Sequence, residues 1–458
     1  MASSWFRRLS GLKRRHQSGQ ALVYGLGVMA VALGGLFFLF NTGQLLQEKT
    51  KLVNTADAAA YAGGVMHARA LNFNAYSNRA LIANEVLVAH LVSVSSWSLY
   101  ARNATNKVPQ RFPGCNTPQG AAAYTTMSFG LYEASCFFVT VNKGGIDTIT
   151  ATIQSLGSPL LTAVELSKSA IKASLSQIHA PGIGLVQSRN QVIQEVVQAN
   201  YNNDGDVQVE PRGALPGSSF NLTDQWSDFT RQTTGQARVR MATVTRNAAF
   251  TDQFIPNRSW TQRAIAPKCW APIEFNQVNR GGGTNLLGLD EWRASDTFVY
   301  QYRQQKWWGC KTKQTGLGSG QTRARKGGAA FSNGFSSKIW NQYSGIPAFY
   351  DLKVLDKSSP TLKFTVKLIR HASQLKTGDG RSEVRSVNDG NELNPNRFYT
   401  QLKGSRMQAM SASEVFFERP VSEPNARGNE LPSLFNPFWQ VRLIQPDAAE
   451  VAIHANAQ

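Results

Sequence analysis

Ala21–Gly64 reads ALVYGLGVMAVALGGLFFLFNTGQLLQEKTKLVNTADAAAYAGG, and the fold turns on it. Its first part, Ala21–Phe40, carries no charge over 20 residues. Helical residues rise 1.5 Å each, so this run covers about 30 Å, the thickness of a bilayer core. The segment before it holds Arg7, Arg8, Lys13, Arg14 and Arg15 and no acid. Basic residues on one flank keep that flank in the cytoplasm and send the rest of the chain across. A cleaved signal peptide is the competing reading. Its apolar region runs about 7–15 residues and ends at a small-residue cleavage site. Here the apolar character continues into Leu45, Leu46 and Leu52, with no A-x-A just after the run. The expectation is a cytoplasmic basic segment over 1–20 and a single transmembrane helix over 21–43. Ala30 and Gly34, like Val31 and Gly35, have the four-residue spacing that lets a second helix approach, although glycine is common in membrane helices generally.

Beyond the span, residues 44–205 read as a helical domain. No proline interrupts Gln44–Ala101. The Ala56–Gly64 stretch is built of small residues around Asp57 and Tyr61, which share a helical face. Together with Leu45 and Leu52 they are candidates for helix contact; internal packing is the alternative. Asn74, Asn78 and Glu85 line one helical face as well. A polar stripe on a buried helix is more often a structural network than a catalytic site. Lys107–Gln119, with three prolines, reads as a loop. Helical signals return in Ala121–Cys136, Ile146–Leu156 and Leu160–His179, the last with Pro159 in its first turn. Val186–Tyr201 is a further helix, and the NNDG of Asn202–Gly205 closes the block.

Residues 206–458 change character and read as a β-rich domain, giving an α+β chain overall. Strand-like runs are Ala237–Val244, Thr297–Tyr302, Thr361–Ile369, Ala412–Phe417 and Trp439–Leu443. Thr361–Ile369 alternates polar and apolar residues over its centre, as a half-buried strand does. Gly281–Gly283, Thr315–Gly328 and Gly378–Gly380 look like exposed loops. Trp307-Trp308 beside Cys310 reads in two ways. One is a core next to a disulfide; the other is an exposed aromatic pair that marks a ligand contact.

The four cysteines, Cys115, Cys136, Cys269 and Cys310, form no CxxC pair and have no histidine at metal-ligand spacing. In an oxidising compartment they suggest two disulfides. Three connectivities are possible, of which Cys115–Cys136 with Cys269–Cys310 keeps each staple local. Unpaired thiols are the alternative.

Motifs for chemistry are lacking. The six histidines are scattered without HExxH. Thr315–Gln321, TGLGSGQ, lacks the lysine of a phosphate-binding loop. Asn202–Asp206 lacks the closing Glu of a calcium loop. Asp356–Pro360 ends in proline where a metal-ion adhesion loop has serine. No catalytic residue, cofactor or metal is expected, and the chain does not read as an enzyme.

The formal charge is +19. Residues 1–44 hold 5 basic residues and no acid, 45–205 hold 11 against 8, and 206–458 hold 32 against 21. The densest cluster thus precedes the span, where it meets anionic lipid. The rest is spread thinly, so nucleic acid is not an expected partner.

Three stretches carry a family resemblance. Arg14–Val23, RRHQSGQALV, is followed by the uncharged span and then by Leu52–Gly64, LVNTADAAAYAGG. This order resembles the TadE/TadG-like Flp (tight adherence) pilus-assembly proteins. Their pattern is R-x-x-G-Q-A-L, one membrane helix, then N-A-A-D-A-A-A-L-A-G. Leu71–Val86, LNFNAYSNRALIANEV, and the tail VFFERP…ELPSLFNPFWQVRL of Val415–Leu443 are similar to the longer TadG-related members. The resemblance implies a structural component of pilus assembly or anchoring in a Gram-negative envelope. Its partners would be inner-membrane lipid and other pilus-assembly or pilin subunits. A minor pilin-like subunit, or a tip adhesin with a surface ligand, is the alternative. One departure favours the first reading. Processed pilins have Glu five residues past the Gly cleavage site, and here Gly19 is followed at that distance by Tyr24.

Overall fold

The computed structural model describes residues 20–111, 133–180, 184–202, 207–211, 226–270, 273–327, 336–353, 359–371, 406–419, 431–448 and 451. The basic residues Arg7, Arg8, Lys13, Arg14 and Arg15, together with Gly19, Cys115 and Gly378–Gly380, lie outside them. So do most of Asn202–Asp206 and Asp356–Pro360, and the side chains of Cys136 and Cys269.

One helix organises the molecule. α1 runs Gln20–Arg111 without a break over 92 residues, about 140 Å at helical rise. It persists through Lys107 and Pro109, where a loop was expected; Val108 in this last stretch is buried. α2, Glu133–Ile178, packs back along α1, and α3, Leu185–Tyr201, follows. α2 also passes straight through Pro159, which the sequence suggests as a helix start. Packing overrides the missing N–H. Leu161 and Val164, just past the proline, are buried in one cluster with Trp340. Gly157 lies so close to the Trp340 indole that a Cβ would overlap it. α3 ends at Asn202, in the left-handed conformation at φ +43°, its N–H bonding Gln198 O, as the NNDG signal anticipates.

The remaining elements are β1 Gln208–Pro211, the turn-length α4 Trp226–Phe229, β2 Thr230–Thr233, α5 Val239–Ala249 and β3 Trp260–Trp270. Then come β4 Ile273–Leu287, β5 Glu291–Gln305, β6 Cys310–Arg325, β7 Ser337–Trp340 and β8 Phe349–Leu352. β9 Leu362–His371, β10 Arg406–Phe417 and β11 Trp439–Ile444 complete the series. They form a five-stranded sheet β3-β4-β5-β6-β7, a four-stranded sheet β1-β9-β10-β11 and a two-stranded pair β2-β8. Pairing is antiparallel except between β6 and β7. The chain is an α+β protein, with its three long helices first and its sheets after.

Both larger sheets build their cores on α1. Leu52, Ala56, Ala59 and Ala60 pack with Ile193 and Val197 of α3 and with Phe364, Val366 and Leu368 of β9. Ala68 and Leu71 meet Val415 and Trp439 of β10 and β11. Further along, Leu81, Val88 and Val92 meet Trp292 of β5. Tyr100 and Val108 meet Phe298, Tyr300 and Leu317. The four-stranded sheet therefore sits nearest the span, and the five-stranded sheet sits farther along the same rod.

Three segments expected otherwise take their form from this arrangement. Ala237–Val244 falls in a 3₁₀ turn and α5, not a strand. The buried Met241, Ala242, Thr245 and Ala249 recur at helical spacing, which outweighs the β-branched content. The glycines of Gly281–Gly283 and of Thr315–Arg325 lie inside β4 and β6, not in loops. Gly282, Gly283, Gly318 and Gly320 are there for close approach. Gly318 of β6 lies against the Ala104 backbone, where a Cβ would come within 3.0 Å of Ala104 N. A Cβ on Gly320 would overlap Ser96 O and Tyr100 N. These glycines let a strand rest directly on the helix backbone. A bulge at Leu317, between the pairs Phe298–Gly318 and Val299–Gly316, turns that side chain into the core.

Candidate functional site

α1 presents three surfaces in succession. From Ala21 to Phe40 every side chain is exposed, and the apolar run has no protein cover. One helix is therefore long and apolar enough to cross a membrane. Leu22, Val28, Leu36 and Phe40 are among the bare apolar groups.

The second surface is the Ala-rich stretch, which has two faces. Leu52, Ala56, Ala59, Ala60, Gly63 and Gly64 are buried against the four-stranded sheet. Gly63 carries the Phe364 ring and Gly64 carries Val441 and Ser413, with no room for a Cβ at either position. Ser413 Oγ donates to Ala60 O at 2.7 Å. Small residues here serve internal packing of helix on sheet. The opposite face carries Val53, Asn54, Ala58 and Tyr61, all exposed, with Asp57 half-buried among them. Tyr61 is 46% exposed. Their spacing of one, four and five residues makes a continuous helical stripe. Leu45 extends the exposed side toward the span. Asp57 and Tyr61 thus share a face open to solvent, while Leu52 is in the core. Further on, a groove of about 560 Å³ opens between α1, α2 and the start of α3, lined by Met66, Arg69, Phe73, Gln177, Ile178 and Leu185.

The third surface holds the polar stripe. Asn74, Asn78 and Glu85 are all fully buried on one face, each with its own partners. Asn78 Nδ2 donates to Tyr350 O at 2.8 Å and to Leu434 O at 2.7 Å. Its two hydrogens thereby join β8 and the segment before β11 to the helix. Asn74 Oδ1 lies 3.1 Å from His179 Nε2. His179 stacks on Tyr350 with centroids 3.7 Å apart and on Trp226 at 5.2 Å. Burial lowers the His179 pKa to about 4, so the ring is neutral at pH 7.

Glu85 receives Trp292 Nε1 at 3.1 Å and Tyr343 OH at 2.7 Å on Oε2, and Lys168 Nζ stands 2.6 Å from Oε1. Burial pushes its carboxyl pKa up; Lys168 and the two hydrogen bonds pull it back. Lys168 Nζ also reaches Glu165 Oε1 and Gly345 O. These contacts tie α1, α2, β5 and the segment of Tyr343 together.

Two contacts of the same kind have no warning in the spacing. Asn72 forms a two-way amide clamp on Trp439: Nδ2 donates to Trp439 O and Oδ1 accepts from Trp439 N, both at 3.0 Å. Asp296 is buried in β5 and accepts from Arg258 at 2.8 and 3.0 Å and from Ser96 Oγ at 2.7 Å. The only sequence signal for either is an amide or carboxylate at a position that strand or helix periodicity makes inward.

Cys310 is disulfide-bonded. Trp307 and Trp308 are exposed, at 94% and 89%, and do not enter a core. They sit at the tip of the β5–β6 hairpin, exposed to solvent, so the ordinary core reading gives way. Among the described residues, no group of three or more His, Cys, Asp or Glu side chains could hold a metal ion.

No curated protein and no solved structure matches this chain. The comparison that does succeed falls on the exposed span and the two-faced Ala-rich stretch: residues 19–70 match the Tad family model, described as "Putative Flp pilus-assembly TadE/G-like".

Proposed function

We propose that this chain is a membrane-anchored structural component of Flp/Tad-type pilus assembly, acting through helix packing and protein–protein contact. Residues 21–43 cross the inner membrane, residues 1–20 stay in the cytoplasm, and the remainder stands in the periplasm. One observation carries the reading: the segment that matches the family runs on, in one unbroken helix, into the core of both sheets. Such a helix transmits the position of the anchor rigidly to the rest of the molecule. The open stripe of Asn54, Asp57, Ala58 and Tyr61 lies on the matched segment and is the surface for partner subunits. The buried polar stripe is structural and carries out no chemistry.

A photo-crosslinking residue at position 61 tests this in living cells. It should give a covalent adduct with another pilus-assembly or pilin subunit, and the same residue at buried position 343 should give none. Adducts to lipid alone, or none, would contradict the partner surface. The mass of the mature protein separates the minor-pilin alternative. The full-length chain is expected, given Tyr24, and loss of residues 1–19 would support processing.

A further inference from the structure

We propose that the tip of the β5–β6 hairpin binds an anionic lipid surface other than the bilayer that holds the anchor. The tip is Lys306–Gly309, closed by Lys306 N–H donating to Gly309 O at 2.9 Å, with Gly309 at φ +74°. Trp307 and Trp308 project from it almost wholly into water. Lys306, Lys311 and Lys313 are exposed beside them. No Asp or Glu occurs between Asp296 and Asp351, so the hairpin end is purely cationic. The register Gln305–Cys310, Gln304–Lys311 and Tyr302–Lys313 sets the lysines on the strands directly behind the two rings. The disulfide at Cys310 ties down the strand at the base of the turn.

Tryptophan prefers the polar–apolar boundary of a bilayer, and lysines behind it meet anionic headgroups. A convex tip with two bare rings suits insertion into such a boundary. Glycan and small-molecule sites are concave and use several converging polar groups, which this tip does not offer.

The helix places the tip far from the anchor. Trp292 bonds Glu85, Thr322 bonds Ser95, Gly320 bonds Ser96 and Gly318 lies on Ala104. As α1 climbs away from the span, β6 is read backwards toward its start. Phe40 and Ala104 are about 100 Å apart along a helix. From Gly318 to Trp308 the strand continues for on the order of 30 Å more. The tip therefore cannot fold back to the anchor's own membrane, and the chain reaches from one lipid surface to another.

The test uses the full chain held in phosphatidylcholine nanodiscs, mixed with separate vesicles. Flotation should capture the nanodiscs on vesicles with about a third phosphatidylglycerol and not on pure phosphatidylcholine. Brominated lipid in the vesicles should quench part of the tryptophan emission. Trp307→Ala/Trp308→Ala should lower capture at least tenfold and abolish the quenching. Lys306→Gln/Lys311→Gln/Lys313→Gln should remove the preference for anionic lipid. Unchanged melting of both variants would show that they fold, as expected for exposed positions. Equal capture of wild type and the double-tryptophan variant would overturn the proposal. So would capture confined to peptidoglycan fragments. Neither result bears on the anchor or on the contact at Tyr61, which can hold or fail separately.

Discussion

Glu85 carries the largest electrostatic stake in the core. Its carboxylate and the Lys168 ammonium are both fully buried, 2.6 Å apart. Removing Lys168 leaves Glu85 without compensation in a low dielectric, which costs about 3–5 kcal/mol; removing Glu85 leaves Lys168 with Glu165 as its remaining partner and costs less. Lys168→Met should therefore lower unfolding stability by about 3 kcal/mol in urea titrations. Glu85→Gln/Lys168→Met should lose less than that, because the amide oxygen still accepts from Trp292 and Tyr343 and the one charge left without its partner, on Glu165, reaches the edge of the core. A double variant at least as unstable as the two losses combined would contradict the pairing. His179 gives a pH signature of opposite sign to Glu85. Its folded pKa is about 4 against an ordinary 6.5, so between these values the unfolded chain binds a proton that the folded chain does not. Stability should fall as pH drops from about 6.5 to about 4, by on the order of 2 kcal/mol. Glu85, with its pKa raised from 4.5, works the other way: the unfolded chain ionises first, and stability falls as pH rises past 4.5. His179→Phe keeps a ring in the stack and should flatten the acid-side slope relative to wild type. An unchanged slope would rule out burial of the neutral ring. The stripe Asn74, Asn78 and Glu85 is legible from spacing alone. Its partners Tyr350, Leu434 and Trp292 are hundreds of positions away and are set by tertiary packing.

At the scale of elements, β6 shows why some strands escape a local reading. Its glycines look like loop residues because glycine has weak strand propensity. Gly318 and Gly320 are there because of the helix laid against them. Gly320→Ala should destabilise the chain by about 1–3 kcal/mol through overpacking, since its Cβ would meet backbone atoms that cannot rotate away. Gly316→Ala, with nothing within 4 Å of its Cβ position, should be neutral or slightly stabilising. Thermal melting of the two variants compares them directly; equal effects would contradict the seating of β6 on α1. α5 was hidden in another way. The β-branched content of Ala237–Val244 argues strand, while the 3.6-residue spacing of Met241, Ala242, Thr245 and Ala249 decides helix. β9 was legible from the polar–apolar alternation over its centre, although it is not half-buried as that alternation suggests: Thr365 and Lys367 on its second face are buried too.

For the whole molecule, the sequence marks the span and the family segment clearly. Absence of charge and an Ala-rich run are local properties. It does not reveal that the helix beyond the span is shared by both sheets, since that depends on which strands return to it. Sharing makes the apolar run and the sheets one body: the four-stranded sheet rests on residues 52–71 of α1 and the five-stranded sheet on 81–108. The central claim is that α1 continues unbroken from the apolar span into this core. Spin labels on non-natural residues at the exposed positions Phe38 and Tyr76, in nanodiscs, test it by pulsed dipolar distance measurement. Thirty-eight helical steps predict a single narrow distribution near about 57 Å; a broad distribution centred well below that would mean the helix breaks at the membrane surface and would contradict the account.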